Sequence, residues 1–395
     1  MSFTLFSDIL PQEECLAVTK NRMALQIGVP KESAWQERRI GLAPDDVAVL
    51  VAHGHRILIE SGAGLHANFS DKDYSEVGAE ITTDTKKVFS CAIVLKIEPP
   101  TLEEINYLQP KTVLISALQI KTMHKAYFEL LAKKQITALA FEFIQDQKGN
   151  FPVFQSVSEI VGIGSVLIAS ELIADANHGA GVLFGNITGV PPIEVVVLGS
   201  DDIAVAAVKA AMGLGANVKV FDNSLTDLRN LNQKLNHSVF TSTLQPKILK
   251  KALMRCHVVI GVMRGENRSP VVVSEDMVQL MKKGAVIVDV SIDTGGCIET
   301  SQLTTLAAPT FVKHHVIHYC VPNIASRYAR TASFSLSNIL MPYLLKIGEE
   351  GGIENSLQTD YGLRNGLYFY HGVLTNATVS QWFDIPYKPV NLLFI

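Results

Sequence analysis

An apolar run at residues 195–198 ends on Gly199 and is followed by Ser200, Asp201, Asp202, Ile203 and Ala204, with Asp222 closing the next apolar run 23 residues after Gly199. A buried strand, a glycine turn, a helix and an acidic residue at that distance form the setting in which a parallel α/β sheet holds a dinucleotide. The turn admits the pyrophosphate, the helix N-terminus faces it and the carboxylate bonds the ribose. Only the first of the three fingerprint glycines is present: the second falls on Asp201 and the third on Ala204. Two unit charges about 4 Å apart repel by roughly 4 kcal/mol at an effective dielectric near 20, equivalent to about three decades of affinity. Asp201 and Asp202 serve equally well as helix N-caps, worth about 1 kcal/mol, and Asp222 as a solvated strand-end carboxylate. Two other glycine pairs compete for the loop role. Gly62-Ala63-Gly64 follows a strand, yet no helix-forming run opens after it, and Gly162-Ile163-Gly164 lies within a helical pattern, where small residues allow close packing.

The elements that must position these residues alternate along the chain. Strands are expected at residues 24–29, 56–60, 91–97, 113–117 and 136–141, with helices such as 44–53 and 124–133 between them. A second series opens with a long helix at 158–177 and a glycine-rich loop. It continues as strand 194–198, helix 203–214, strand 217–221, helix 225–235, strand 257–261, helix 274–281 and strand 285–290. Strands separated by helices imply βαβ units and parallel sheets. The tail reads as helical from 329 to 345, without a strand series, and is expected to pack back on the first domain.

The 395 residues suffice for two or three domains, and 48% apolar against 18% charged residues argues for large buried cores. With 34 basic and 38 acidic side chains the net charge is −4, so no overall basic field draws the protein to nucleic acid. The five cysteines (Cys15, Cys91, Cys256, Cys297, Cys320) include no CxxC pair and read as small buried hydrophobes of a reducing compartment. Cys256-His257 and His318 with Cys320 are isolated pairs, so no metal site is expected. No apolar run reaches the ~18 residues of a membrane span, and the N-terminus lacks the basic start of a secretory signal. A cytoplasmic protein without membrane partners is the expectation.

Ile27-Gly28-Val29-Pro30-Lys31-Glu32, followed by residues 37–44 (Glu-Arg-Arg-Ile-Gly-Leu-Ala-Pro), resembles the opening of alanine dehydrogenases and of the soluble nucleotide-binding part of proton-translocating transhydrogenases. The similarity continues through His53-Gly54-His55, residues 60–64, Ser158-Glu159, the stretch from Asp289 to Cys297, residues 319–323, Met341-Pro342-Tyr343 and His371-Gly372. Ser158-Glu159-Ile160, without the Arg- and Gln-bearing loop of transhydrogenases, makes alanine dehydrogenase the closer branch. The resemblance implies an α/β fold of two Rossmann-like doubly wound parallel-sheet domains, the first completed by the C-terminal helical segment. Residues 1–152 with 330–395 would form the substrate domain and 153–329 the NAD domain. It also implies a homo-oligomer, commonly a hexamer, an amino acid or keto acid as small-molecule partner, and reversible NAD-dependent oxidation of L-alanine or a related amino acid.

The resemblance places Arg39 on the arginine that grips the substrate carboxylate, a task suited to a planar bidentate donor. Asp293 falls on the active-site aspartate, Asn323 on an asparagine near nicotinamide and substrate, and Ser158, Gly199, Asp222 and Val262 on cofactor-binding positions. The family's second lysine falls on Glu98 when Lys96 is matched to the first, or on Ile97 in another register. Lys96 is carried over as a site residue, since a strand's period of two lets it reach inward, although a Lys96–Glu98 ion pair is the plainer expectation. The catalytic histidine falls on Gln119, which cannot carry a proton at neutral pH, and His124 is expected on the surface of the next helix. Three readings stay open: an NAD-dependent amino-acid dehydrogenase, a catalytically impaired member acting as a nucleotide-binding or regulatory subunit, and a transhydrogenase-like nucleotide domain, which tolerates Gln119 but not Asp201.

Overall fold

The computed structural model describes residues 22–34, 36–265 and 268–394. Cys15 lies outside the described residues; Cys91, Cys256, Cys297 and Cys320 are free and buried, as expected of small hydrophobes. The strands in chain order are β1 (Gln26–Val29), β2 (Arg56–Glu60), β3 (Glu80–Thr82), β4 (Ile93–Leu95), β5 (Val113–Ser116), β6 (Thr137–Ala140), β7 (Glu194–Leu198), β8 (Asn217–Phe221), β9 (Phe240–Ser242), β10 (Val258–Gly261), β11 (Val286–Asp289), β12 (Thr310–Lys313), β13 (Val316–Tyr319), β14 (Leu367–Tyr370) and β15 (Val373–Leu374).

They form two sheets, ordered β15-β14-β6-β5-β4-β1-β2-β3 and β12-β13-β11-β10-β7-β8-β9. Counted from β1 in the first sheet and β7 in the second, both orders contain the doubly wound arrangement 3-2-1-4-5, so both domains are Rossmann-like. The physical basis is legible in the central strands: β4, β5, β6, β10 and β11 are buried at every residue, which suits strands covered by helices on both faces. Each sheet is mixed at one edge, where β12 runs antiparallel to β13 and β14 antiparallel to β6 and β15.

The last contacts correct the expectation of a strandless tail. After the helix Ala329–Glu349 the chain returns to the first sheet and adds a hairpin, turned by His371 (φ 48°) and Gly372 (φ 82°), a two-residue turn with both central residues at positive φ. The second long helix, Pro152–Ile173, begins six residues before the expected start because Pro152 sits at its first position, where a missing N–H costs nothing. The helix expected at 274–281 is a single turn, Glu275–Val278.

The helix Pro152–Ile173 is long and apolar enough to cross a membrane by length and composition alone. It lies instead in the packing of the fold. A Cβ on Gly162 would stand 2.5 Å from the Ile203 carbonyl oxygen and 2.6 Å from the Ala206 Cβ, so the helix Asp202–Gly213 lies flush against it. Val153 belongs to the first core and Val161, Val166 and Ile173 to the second, while the helix Ala329–Glu349 places Ala332 in the second core and Ala329, Leu336, Leu340 and Leu344 in the first. Two helices thus tie the cores together and set one sheet relative to the other.

Candidate functional site

In open α/β sheets ligands bind beyond the carboxyl ends of strands, where the strand order reverses. That point lies between β1 and β4 in the first sheet and between β7 and β10 in the second. The segments leaving these strands share a cavity of about 530 Å³, lined among others by Arg39, Glu98, Gln119, Ser158, Asp293 and Asn323.

Arg39 sits on the segment after β1. Glu37 accepts from its Nε at 2.8 Å and its backbone N–H at 2.9 Å through Oε1 and from its Nη2 at 2.6 Å through Oε2, and Asn323 donates its amide to the same Oε2 at 2.9 Å. Burial alone would raise the Glu37 carboxyl, but the guanidinium and these donors outweigh it and hold it well below the usual carboxylate range. Asn323 adopts the left-handed conformation, which asparagine tolerates, just where β13 gives way to the next helix.

Lys96 has a different partner from the one expected. Its ammonium is fully buried and pairs with Glu32 at 2.7 Å, not with Glu98. The chain stops being extended at Leu95 and bends at Ile97 and Glu98, so the period of two no longer applies beyond β4. Glu32 also accepts from the Ile97 N–H at 2.6 Å, and Lys96 is absent from the cavity lining. Glu98 is the residue that faces the cavity. Gln119 donates its side-chain amide to it from a left-handed backbone (φ 43°), and the turn is held from behind by Glu142, which accepts from the Leu118 N–H at 2.7 Å. Burial pushes Glu142 up to about 7. His124 is exposed and precedes the helix Lys125–Lys133, away from the cavity.

Asp289, fully buried, shapes the loop that presents Asp293. It accepts from the hydroxyls of Ser291 and Ser301, both at 2.6 Å, and from the Cys297 N–H at 3.1 Å. Ser158, on the helix Pro152–Ile173, is buried at the cavity wall.

A second cavity of about 540 Å³ lies over the end of β7, lined by Gly199, Ser200, Asp201, Asp222, Val262 and Arg264 among others. Gly199 has φ 112°, and a Cβ there would stand 2.8 Å from Val262 Cγ2, so glycine is required. Asp222 accepts from the Ser200 hydroxyl at 2.7 Å and from the Ser224 N–H at 2.9 Å. Asp201 is the N-cap of the helix Asp202–Gly213, accepting from the Ala204 N–H at 3.0 Å, and its other oxygen lies 3.3 Å from Arg264 Nε. Burial raises its pKa. The helix N-terminus therefore already holds a carboxylate of its own chain.

Family models for the N-terminal and C-terminal domains of alanine dehydrogenase/PNT match residues 28–161 and 165–377. The chain belongs to the alanine dehydrogenase/PNT family. It is 34% identical over 368 residues to an alanine dehydrogenase of Staphylococcus haemolyticus, covering 93% of this chain and 98% of the relative. A solved L-alanine dehydrogenase superposes with a TM-score of 0.81 at 34% identity, over 90% of this chain and 98% of that one. A transhydrogenase from Sinorhizobium meliloti shares the fold, with a TM-score of 0.74 at 20% identity over 89% of this chain and 99% of that one.

Within this family chain, the cavity brings together Arg39, Glu98, Gln119, Ser158, Asp293 and Asn323, and the second cavity Gly199, Asp222 and Val262. Lys96 stands apart. Sequence reasoning passed over Glu37, Glu142 and Arg264. An acid two residues before Arg39 in a loop was the available signal for Glu37; Arg264 stacks on Phe154 at 5.1 Å and lines both cavities, a placement no local pattern announces. Among the described residues no group of His, Cys, Asp and Glu could hold a metal ion.

Proposed function

We propose that this protein is an alanine dehydrogenase-like member of its oxidoreductase family that holds a small amino acid or keto acid by its carboxylate at Arg39, and that its nucleotide half is impaired. The observation that carries the acid-binding reading is the Glu37–Arg39 clamp. Guanidinium has five N–H donors; Glu37 takes Nε and one Nη2 donor, and among the described residues no hydrogen bond engages Nη1. A planar pair of donors on the Nη1–Nη2 side thus remains for a ligand carboxylate beside Asn323, with Asp293 lining the same cavity.

NAD, when bound to members of this family, supplies the hydride acceptor for oxidising an amine to an imine. Gly199, Asp222, Val262 and Ser158 are the residues that would hold it. Its pyrophosphate does not fit the loop as it stands, because Asp201 caps the helix N-terminus that would receive it, with Arg264 Nε 3.3 Å from its other oxygen. No hydride step is assigned on that basis. The Asp201 cap favours a catalytically impaired member that binds an amino or keto acid as a regulatory or structural subunit. Retention of Asp222 and Gly199 supports the other reading, reversible NAD-dependent oxidative deamination of L-alanine or a related amino acid.

Calorimetric titration with pyruvate and with L-alanine tests the acid-binding reading. Saturable binding of either that is weakened in Arg39→Lys supports it. Binding of neither, at concentrations up to tens of millimolar, contradicts it. Formation of NADH from NAD and L-alanine at a steady rate would overturn the impaired reading.

A further inference from the structure

On the first-sheet side Arg39, Glu98 and Lys121 line the cleft, Glu37 clamps Arg39, and the Lys96–Glu32 pair lies behind the wall. Lys96 pairs with Glu32 at 2.7 Å and Arg39 with Glu37 at 2.6 Å, so each of these two cations is bound to a carboxylate other than Glu98. Glu98 receives its hydrogen bond from the Gln119 amide, a neutral donor. The neighbouring Glu37 carboxylate disfavours its charged form. Glu37 is the poorer bearer of a proton, since Arg39 and Asn323 both donate to it and favour its charged form. The other charged groups lining the cavity are Asp293 and Arg264, the latter drawn toward Asp201.

We infer that Glu98 is the group that takes up a proton when an anionic ligand enters, so that the cleft admits a keto acid only together with one proton. This inference rests on the reading of Arg39 as the seat of the ligand's carboxylate. A ligand carboxylate on Arg39 adds a negative group beside Glu37 and Glu98, and Glu98, which is paired with neither Arg39 nor Lys96, is the cavity-lining carboxylate of the two that is neutralised at least cost. Burial and the neighbouring Glu37 push Glu98 up to about 7, which places the exchange near neutrality. At pH 8 the empty cleft then holds ionised Glu98 and binding must draw a proton. At pH 6 the proton is already present.

The test is calorimetric titration of the full chain with pyruvate at pH 6 and pH 8, in two buffers of different ionisation enthalpy, which counts protons bound per ligand. The wild type is expected to take up close to one proton per pyruvate at pH 8 and little at pH 6, with affinity falling about five- to tenfold from pH 7 to pH 8. Glu98→Gln is expected to bind with no such uptake and with the same affinity at both pH values. Wild-type binding at pH 8 without proton uptake overturns the inference, whether or not the variant folds, as does unchanged uptake in Glu98→Gln. Failure of pyruvate to bind the wild type at pH 6 removes the Arg39 reading and this inference with it, an outcome distinct from binding without uptake.

Discussion

Glu37 grips the Nε–Nη2 edge of Arg39 through hydrogen bonds of 2.8 and 2.6 Å, turning a flexible cation into a fixed plate at the cleft wall. Two residues of one loop thereby accomplish what a lone surface arginine could not, because the rotamer entropy of the side chain is lost on folding and not on ligand binding.

Replacing the plate by a point charge separates geometry from charge. Arg39→Lys keeps a cation opposite Glu37 but loses the paired donors, so pyruvate or L-alanine affinity should fall roughly 10- to 100-fold with only a small change in stability. Calorimetry and thermal unfolding on the same preparation read both quantities. Arg39→Ala leaves the Glu37 carboxylate, 1% exposed, without its partner and should cost about 3–5 kcal/mol of folding stability.

Glu98 makes stability depend on pH in the direction opposite to a salt-bridged acid. Its folded pKa of about 7 lies above the ordinary 4.5, so the folded state holds the proton more tightly; the stability this contributes is full below pH 4.5 and lost as pH rises through 7. Glu98→Gln removes that dependence. Relative to wild type, the variant should gain on the order of 2–3 kcal/mol between pH 4.5 and pH 8, measured by denaturant unfolding at the two pH values. An unchanged difference between the proteins would place Glu98 in an ordinary solvated environment.

The contact between the helices Pro152–Ile173 and Asp202–Gly213 has no room for a methyl group at Gly162, where a Cβ would meet backbone at 2.5 Å. Alanine gains about 1 kcal/mol of helix propensity over glycine, yet overpacking costs roughly 1–3 kcal/mol. Gly162→Ala should therefore lower the unfolding midpoint in urea, and a raised midpoint would mean that the two helices separate freely.

How much was legible in the sequence varied with the physics of each element. Strands β2, β7 and β8 were expected with their observed limits, because each is a short β-branched and apolar run that the chain cannot leave exposed. The hairpin of β14 and β15 was missed although its signal was present: Leu367-Tyr368-Phe369-Tyr370 is strand-forming, and His371-Gly372 is a turn pair. Its partner strand, β6, lies more than 200 residues earlier, and no local pattern announces a pairing at that distance. The expected Lys96–Glu98 pair failed for a related reason, since strand period holds only while the chain stays extended, and it bends at Ile97. Asp201 was legible as both a helix cap and a charge in the pyrophosphate seat, and it holds the capping bond to Ala204. Arg264, whose Nε lies 3.3 Å from it, comes from the far side of the strand-order reversal and could be found only in three dimensions.

Nucleotide titration of wild type and Asp201→Gly by calorimetry bears most directly on the impaired nucleotide half. Glycine at the N-cap costs only a few tenths of a kcal/mol, so the variant should stay folded while the helix N-terminus becomes available to an anion. The wild type should show no saturable NAD or NADH binding at neutral pH below millimolar concentration, and Asp201→Gly should bind about 100- to 1,000-fold more tightly. Because burial raises the Asp201 pKa, whatever nucleotide affinity the wild type has should strengthen as the pH falls below neutrality. Micromolar NAD binding by the wild type, left unchanged by Asp201→Gly, would contradict the self-capped loop and return the protein to the dehydrogenases.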